Sequence, residues 1–195
     1  MGKARCWGKM PGDEWQKFAN LRLLLGYQFT RPGKKLLFMG TELAPVGEWN
    51  HEVSLDWHLG REPYRAGLAR FLETLGRLYR DNPCLWESDP DPNGFSWIDC
   101  EDRDNSVVSY VRRHKAQFMI VVLNLSPVPR YHHRVGAPVS ASYARILSSD
   151  EASYGGSSFE TSPTVSAEPM PFHGYGQSVS LRLPPLAALL LAPAP

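Results

Sequence analysis

Four carboxylates, two indoles and two imidazoles share the polar stretch between Thr41 and Arg61: Glu42, Glu48, Glu52, Asp56, Trp49, Trp57, His51 and His58, with Asn50 among them. This mixture suits a sugar. A flat ring stacks on the apolar face of a pyranose while carboxylates and amides take its hydroxyls. The same groups can equally order a long loop by capping and local hydrogen bonds. A glycosidase pair needs two carboxyl groups about 5–5.5 Å apart for retention or roughly 6.5–9.5 Å for inversion. Barrel enzymes draw such groups from several strand ends, whereas these four carboxylates crowd one loop, so no catalytic residue is assigned. His132 and His133 are adjacent, and neighbours on a strand point to opposite faces, so they cannot readily share a metal. Asp99, Glu101, Asp102 and Asp104 lack the glycine and closing glutamate of a calcium loop. Gly155-Gly156-Ser157-Ser158 reads as a turn, because no helix follows it to form a phosphate loop. Trp97 reads as core. Neither a metal nor a cofactor is expected.

The elements that must hold the loop can be read from periodicity. Asp13 with Gln16 makes a capping-box pattern, and Trp15, Phe18, Leu21, Leu24 and Leu25 follow at helical spacing up to Arg31-Pro32-Gly33. Lys35–Met39 is a short apolar run between Gly33 and Gly40, which predicts a parallel-sheet strand buried on both faces. Beyond the loop, Leu68, Phe71, Leu72, Leu75, Leu78 and Tyr79 predict a second amphipathic helix, stopped by Asn82-Pro83.

Composition then shifts. Asp89-Pro90-Asp91-Pro92-Asn93-Gly94 is a dense turn signal, and a domain boundary is placed at 87–94. Strands are predicted at Phe95–Cys100, Val107–Arg112, Phe118–Leu125, Ala144–Leu147, Val179–Leu183 and Ala187–Leu191. Asp99 to Asn105 and Arg113 to Gln117 fit as the first two hairpin connections. Short strands separated by Gly, Pro and Ser turns argue for an antiparallel sandwich.

The 195 residues carry 21 Lys+Arg against 20 Asp+Glu, with 43% hydrophobic residues. Such balance excludes a disordered polyelectrolyte and a nucleic-acid binder held mainly by phosphate attraction. The longest uncharged apolar stretch, Leu183 to Pro195, is broken by proline and falls short of the roughly 20 residues of a membrane span. The first residues have no apolar signal core, so a cytoplasmic protein is expected. Cys6, Cys84 and Cys100 share no CxxC spacing and are expected to be reduced thiols.

Longer motifs are more specific. Gly8-Lys9-Met10-Pro11-Gly12-Asp13-Glu14-Trp15-Gln16-Lys17-Phe18-Ala19-Asn20-Leu21-Arg22 is followed by Gly33–Gly40, Glu48-Trp49-Asn50-His51 and Ser54–Leu59. Asp102–Val107, Tyr154-Gly155-Gly156-Ser157, Gln177–Leu181 and Leu183-Pro184-Pro185-Leu186 continue the series. From end to end the chain resembles the C-terminal part of bacterial 1,4-alpha-glucan (glycogen) branching enzymes, members of the alpha-amylase superfamily.

The resemblance implies a mixed fold. Residues 1–86 would be the end of a (β/α)8 catalytic barrel, and residues 87–195 an antiparallel all-β sandwich domain. At about 250 residues for eight units, the first segment holds only about two to three units and cannot close a barrel. It implies a reaction that cleaves an α-1,4 link through a covalent glycosyl-enzyme and passes the chain to a 6-hydroxyl, forming an α-1,6 branch. The family's nucleophile Asp, acid/base Glu and stabilising Asp all lie upstream of Gly8–Asp13, with Gly2-Lys3 continuing the stretch that follows the last of them. No catalytic residue is therefore expected here, and the chain alone is expected to be inactive. Glu42, Glu48, Trp49 and Asn50 would line the glucan path. The implied partners are alpha-glucan (glycogen) and the missing N-terminal barrel half, with no nucleic acid, membrane or cofactor. Two departures stand out: Leu43 replaces the family's aromatic after Glu42, and Ala4–Trp7 departs from its small and aliphatic pattern. A truncated gene, a split gene and a misplaced start all fit. The rival reading is a non-catalytic glucan-binding or complementation module that works with a separate N-terminal half and exposes the edge of Lys35–Met39 and the apolar faces of its two helices. A debranching member of the superfamily is a third.

Overall fold

The computed structural model describes residues 6–194. Gly2-Lys3 and Ala4-Arg5 of the divergent Ala4–Trp7 stretch lie outside them. Three helices come first: α1 (Cys6–Lys9), α2 (Glu14–Thr30) and α3 (Pro63–Asp81). Eight strands follow, namely β1 (Phe95–Asp99), β2 (Val107–His114), β3 (Gln117–Asn124), β4 (Arg130–Ala137), β5 (Ser142–Ser148), β6 (Thr164–Ser166), β7 (Gln177–Leu183) and β8 (Ala187–Pro193). α2 starts where the sequence places it. The Asp13 carboxylate accepts from the Gln16 amide at 2.8 Å, and the Gln16 side chain accepts from the Asp13 amide at 2.9 Å.

The strands form a six-stranded sheet in the order β1-β2-β3-β8-β5-β6 and a two-stranded sheet, β4-β7, with every pair antiparallel. The larger sheet is covered on both faces. Along β3, Met119, Val121 and Leu123 join Ala188 and Leu190 of β8 against Phe18, Leu21, Leu25, Phe71 and Leu75 of the helices. Ile120 and Val122 of β3, with Leu189 and Leu191 of β8, point the other way onto Val135, Ala137, Val179 and Leu181 of the small sheet. Side chains alternate across a strand, so a central strand with a core on each side must be apolar throughout. That is why β3 and β8 read as continuous hydrophobic runs although their neighbours are antiparallel.

The antiparallel sheet domain expected after residue 94 is present. β4 and β6 were not expected: β4 (RYHHRVGA) buries only its last three residues fully, and β6 has three residues. Lys35–Met39 requires a correction. It forms no strand, and Leu36 is 72% and Phe38 54% exposed. An extended segment is stable in a sheet only when flanking strands take its N–H and C=O groups, and no described segment pairs with it. Side chains hold it instead, through Gln28 Nε2 to the Leu36 carbonyl at 2.6 Å and Thr41 Oγ1 to the Phe38 carbonyl at 2.7 Å. The apolar faces of α2 and α3, expected to be exposed, are buried on the sheet. Trp97 is not core either. It lies on edge strand β1, 41% exposed, with the Arg31 guanidinium 4.9 Å from its ring.

Buried polar groups tie the layers together. Arg22 of α2 donates from Nε to the Ser149 carbonyl at 2.8 Å and from Nη1 to the Tyr154 carbonyl at 3.1 Å. Thr30 and the Tyr110 hydroxyl share a hydrogen bond of 2.5 Å. Asp150 accepts from the Ser157 amide at 2.8 Å, the Ser157 hydroxyl at 2.6 Å and the Phe159 amide at 3.0 Å, which wraps the Gly155-Gly156 turn around it.

The three cysteines are free thiols, Cys6 and Cys100 exposed and Cys84 buried. Burial pushes the Cys84 thiol up to about 11 from 9.0. A raised folded-state pKa means the unfolded thiol ionises first. Its contribution to stability is therefore complete below pH 9 and is lost as pH rises through about 11. A disulfide-exchange reagent at pH 8 should titrate two thiols rapidly in the native protein and the third only on unfolding. Rapid reaction of all three in the folded state would contradict this burial.

Candidate functional site

The loop after residue 40 is shaped by backbone strain and a buried arginine. Met39, Gly40 and Ala44 all have positive φ (45°, 82° and 46°), and a Cβ on Gly40 would come within 3.0 Å of Leu55 Cδ2. Two residues with side chains in this region mark a turn held by its surroundings. Arg65 of α3 does the holding. Its Nε donates to the Leu43 carbonyl at 3.0 Å and its Nη2 to the Ala44 carbonyl at 3.2 Å, while Nη1 pairs with Glu62. The guanidinium also lies 5.5 Å from the rings of Trp7 and Phe18.

Between this anchored turn and α1 opens a cleft of about 320 Å³, lined by Trp7, Lys9, Phe38, Thr41, Glu48 and Trp49 among others. Trp49 is 48% exposed and meets the Phe38 ring edge-on at a centroid distance of 5.7 Å. The Trp7 indole nitrogen is buried with no hydrogen-bond partner among the described residues. The cleft thus brings aromatic side chains, a carboxylate and a cation into one lining, as a small-molecule pocket does.

The candidate residues separate. Glu48 and Trp49 come together on the cleft wall, whereas Glu42 and Asn50 are not among its lining residues. Glu42 is half-buried in the short turn Thr41–Leu43. Asn50 Oδ1 accepts from the Glu52 amide at 2.9 Å, a local loop-ordering bond. Sequence reading missed Trp7, Lys9 and Phe38 as cleft residues; Trp7 lies in the stretch that departs from the resembled pattern, whereas Lys9 and Phe38 sit inside matching motifs and carried no separate signal. On the sandwich, His133 Nδ1 lies 4.0 Å from Asp102 and His173 Nε2 3.4 Å from Asp99, and burial draws His133 below the usual imidazole range. Among the described residues, no group of three or more His, Cys, Asp or Glu is placed to hold a metal, and no helix is long and apolar enough to cross a membrane.

Residues 97–194 match the family model described as alpha amylase, C-terminal all-beta domain, and the chain belongs to that family. The relatives it matches include bacterial 1,4-alpha-glucan branching enzymes. That of Paramagnetospirillum magneticum is 47% identical over 95% of this chain and 25% of its own length. That of Cellvibrio japonicus is 46% identical over 97% and 26%, and that of Aquifex aeolicus 46% over 97% and 30%. The chain therefore spans about a quarter of the length of the curated relatives it matches. Its fold is shared with a pullulanase from Bacillus acidopullulyticus at a TM-score of 0.67 and 13% identity, over 98% of this chain and 23% of that one. An alpha-amylase from Geobacillus thermoleovorans follows at a TM-score of 0.63 and 16% identity, over 91% and 34%.

Proposed function

We propose that the chain is the C-terminal portion of a 1,4-alpha-glucan branching enzyme, cytoplasmic, and without branching activity by itself. The observation that carries this reading is near-complete coverage of the chain at 46–47% identity against only a quarter of each relative. Residues 1–86 are the end of the catalytic (β/α)8 barrel and residues 87–195 its all-β companion domain. Glu42, Glu48, Trp49 and Asn50 line the glucan path, with Glu48 and Trp49 in direct reach of a sugar in the cleft. Leu36, Phe38, Val46, Trp49, Val53 and Trp57 are all exposed on or next to the loop. An apolar surface of this kind on a soluble domain marks a contact, and this one favours a complementation role in which the missing barrel half covers it.

The test is an iodine-stain branching assay. The purified chain should leave amylose unbranched, and mixing with a separately produced upstream barrel portion should yield branching activity. Trp49→Ala in that mixture should lower kcat/KM at least tenfold. Activity of the chain alone, or a mixture that stays inactive although the two pieces co-purify, would overturn the proposal.

A further inference from the structure

A second, larger cleft lies at the C-terminal end of α3 and shares no lining residue with the first. It measures about 810 Å³ and is lined by Gly33, Lys34, Gly76, Tyr79, Arg80, Trp86, Asp89 and Pro90. Gly76, Tyr79 and Arg80 stand at i, i+3 and i+4 and so share one face of α3. Trp86, just past the turn that ends the helix, is 38% exposed. Asp89 fixes the opposite wall by accepting from the Gly33 amide at 2.9 Å and pairing with buried Arg112. The cleft is therefore preformed.

The two glycines of α3 differ in a telling way. A Cβ on Gly67 would come within 2.6 Å of the Tyr154 carbonyl, so packing requires glycine there. A Cβ on Gly76 would meet nothing within 4 Å. Glycine in a helix interior costs stability relative to alanine, and at Gly76 no neighbour requires that cost. Gly33, across the cleft, also has open space beside it, although its φ of +111° itself calls for glycine. Two bare backbone positions, Trp86, Tyr79 and Pro90 give the cleft its carbon-rich lining, and Lys34 and Arg80 add polar groups to it. A pyranose has the complementary form, with C–H faces for the rings and hydroxyls for the polar groups.

The geometry points to a second glucan-binding site in this cleft, with a linear α-1,4-linked segment stacked on Trp86 over Gly76. The inference rests on the glucan reading proposed above, but it concerns a cleft with a separate lining. The test uses the full chain labelled with nitrogen-15 in tryptophan and titrated with maltoheptaose. The Trp86 indole N–H signal, assigned by its loss in Trp86→Ala, should shift at millimolar ligand. Gly76→Leu, which fills the cleft and improves helix propensity, should weaken that binding at least tenfold while the other indole signals keep their native positions. A Trp86 signal that stays fixed, or one that shifts equally in Gly76→Leu, overturns the inference. So does a signal that responds to inorganic phosphate and not to maltoheptaose, since Lys34 and Arg80 would then mark an anion site. A shift of Trp49 with Trp86 unmoved overturns this site and leaves the loop cleft standing. The branching assay tests the glucan reading independently of every outcome here.

Discussion

Arg112→Ala should lower the unfolding free energy by about 4 kcal/mol, among the largest single-residue effects in the chain. The guanidinium is fully buried, although it starts from the central part of β2. Nη1 donates to the Thr30 carbonyl at 2.7 Å, at the last turn of α2, and Nε donates to the Gly94 carbonyl at 3.3 Å. Nη2 pairs with Asp89, whose side chain is 18% exposed. Truncation leaves a largely buried carboxylate without its cation and two carbonyls without donors, and the desolvation cost of each falls on the folded state alone. The ion pair itself adds little beyond what a well-packed apolar group would give; the cost comes from breaking it on one side. Urea unfolding followed by far-ultraviolet circular dichroism measures the loss. Arg112→Lys should recover only part of it, because a single ammonium cannot reach carbonyls on two elements and a carboxylate together. A loss under about 1 kcal/mol for Arg112→Ala would show that these contacts are not formed in solution.

Gly156→Ala should cost about 3 kcal/mol for a different reason. A Cβ there would lie 2.1 Å from the Asp150 carbonyl oxygen and 2.5 Å from its Cα. Both are backbone atoms, so relief needs the whole Asp150–Phe159 turn to open and surrender the three hydrogen bonds to the Asp150 side chain. The effect should reach α2, because Arg22 donates to the carbonyls of Ser149, just before the turn, and Tyr154, within it. Gly176→Ala is the control: its Cβ would meet nothing within 4 Å, and its stability should stay within about 0.5 kcal/mol of the parent. Equal effects at the two positions would refute a steric origin.

Local chemistry was legible wherever the signal was itself local. Asp13 and Gln16 cap α2 as their spacing requires, and Asn82 ends the last turn of α3 immediately before Pro83. The hairpin turns around Asp102 and Lys115 fall where the polar stretches lie. What failed was inference from hydrophobicity to neighbours. Lys35–Met39 and Phe118–Leu125 carry the same apolar signature, but only the second has strands on both sides to pair with. Composition cannot say whether partners exist. Trp97 failed in the opposite sense, since an edge position leaves an aromatic half in water. In the loop, residue type suggested a sugar site but not which side chains converge on it. Glu48 and Trp49 share a cleft with Trp7 and Lys9 of the first helix, distant in sequence, and that is a tertiary relation. Gly76 carried a readable hint, a glycine amid a strong helical pattern, whose meaning needed the empty space beside it.

The two-sided burial of β3 and β8 bears on how such a domain could be inherited. A sandwich cut free at the Asp89–Gly94 turn would turn Tyr110, Met119, Val121, Leu123 and Leu190 out to water, an apolar sheet face with nothing to cover it. The β portion is therefore poorly suited to being shuffled among unrelated proteins. It should pass from one host to another only together with the pair of helices that roofs it, so that the heritable unit begins near Asp13 rather than at the compositional break.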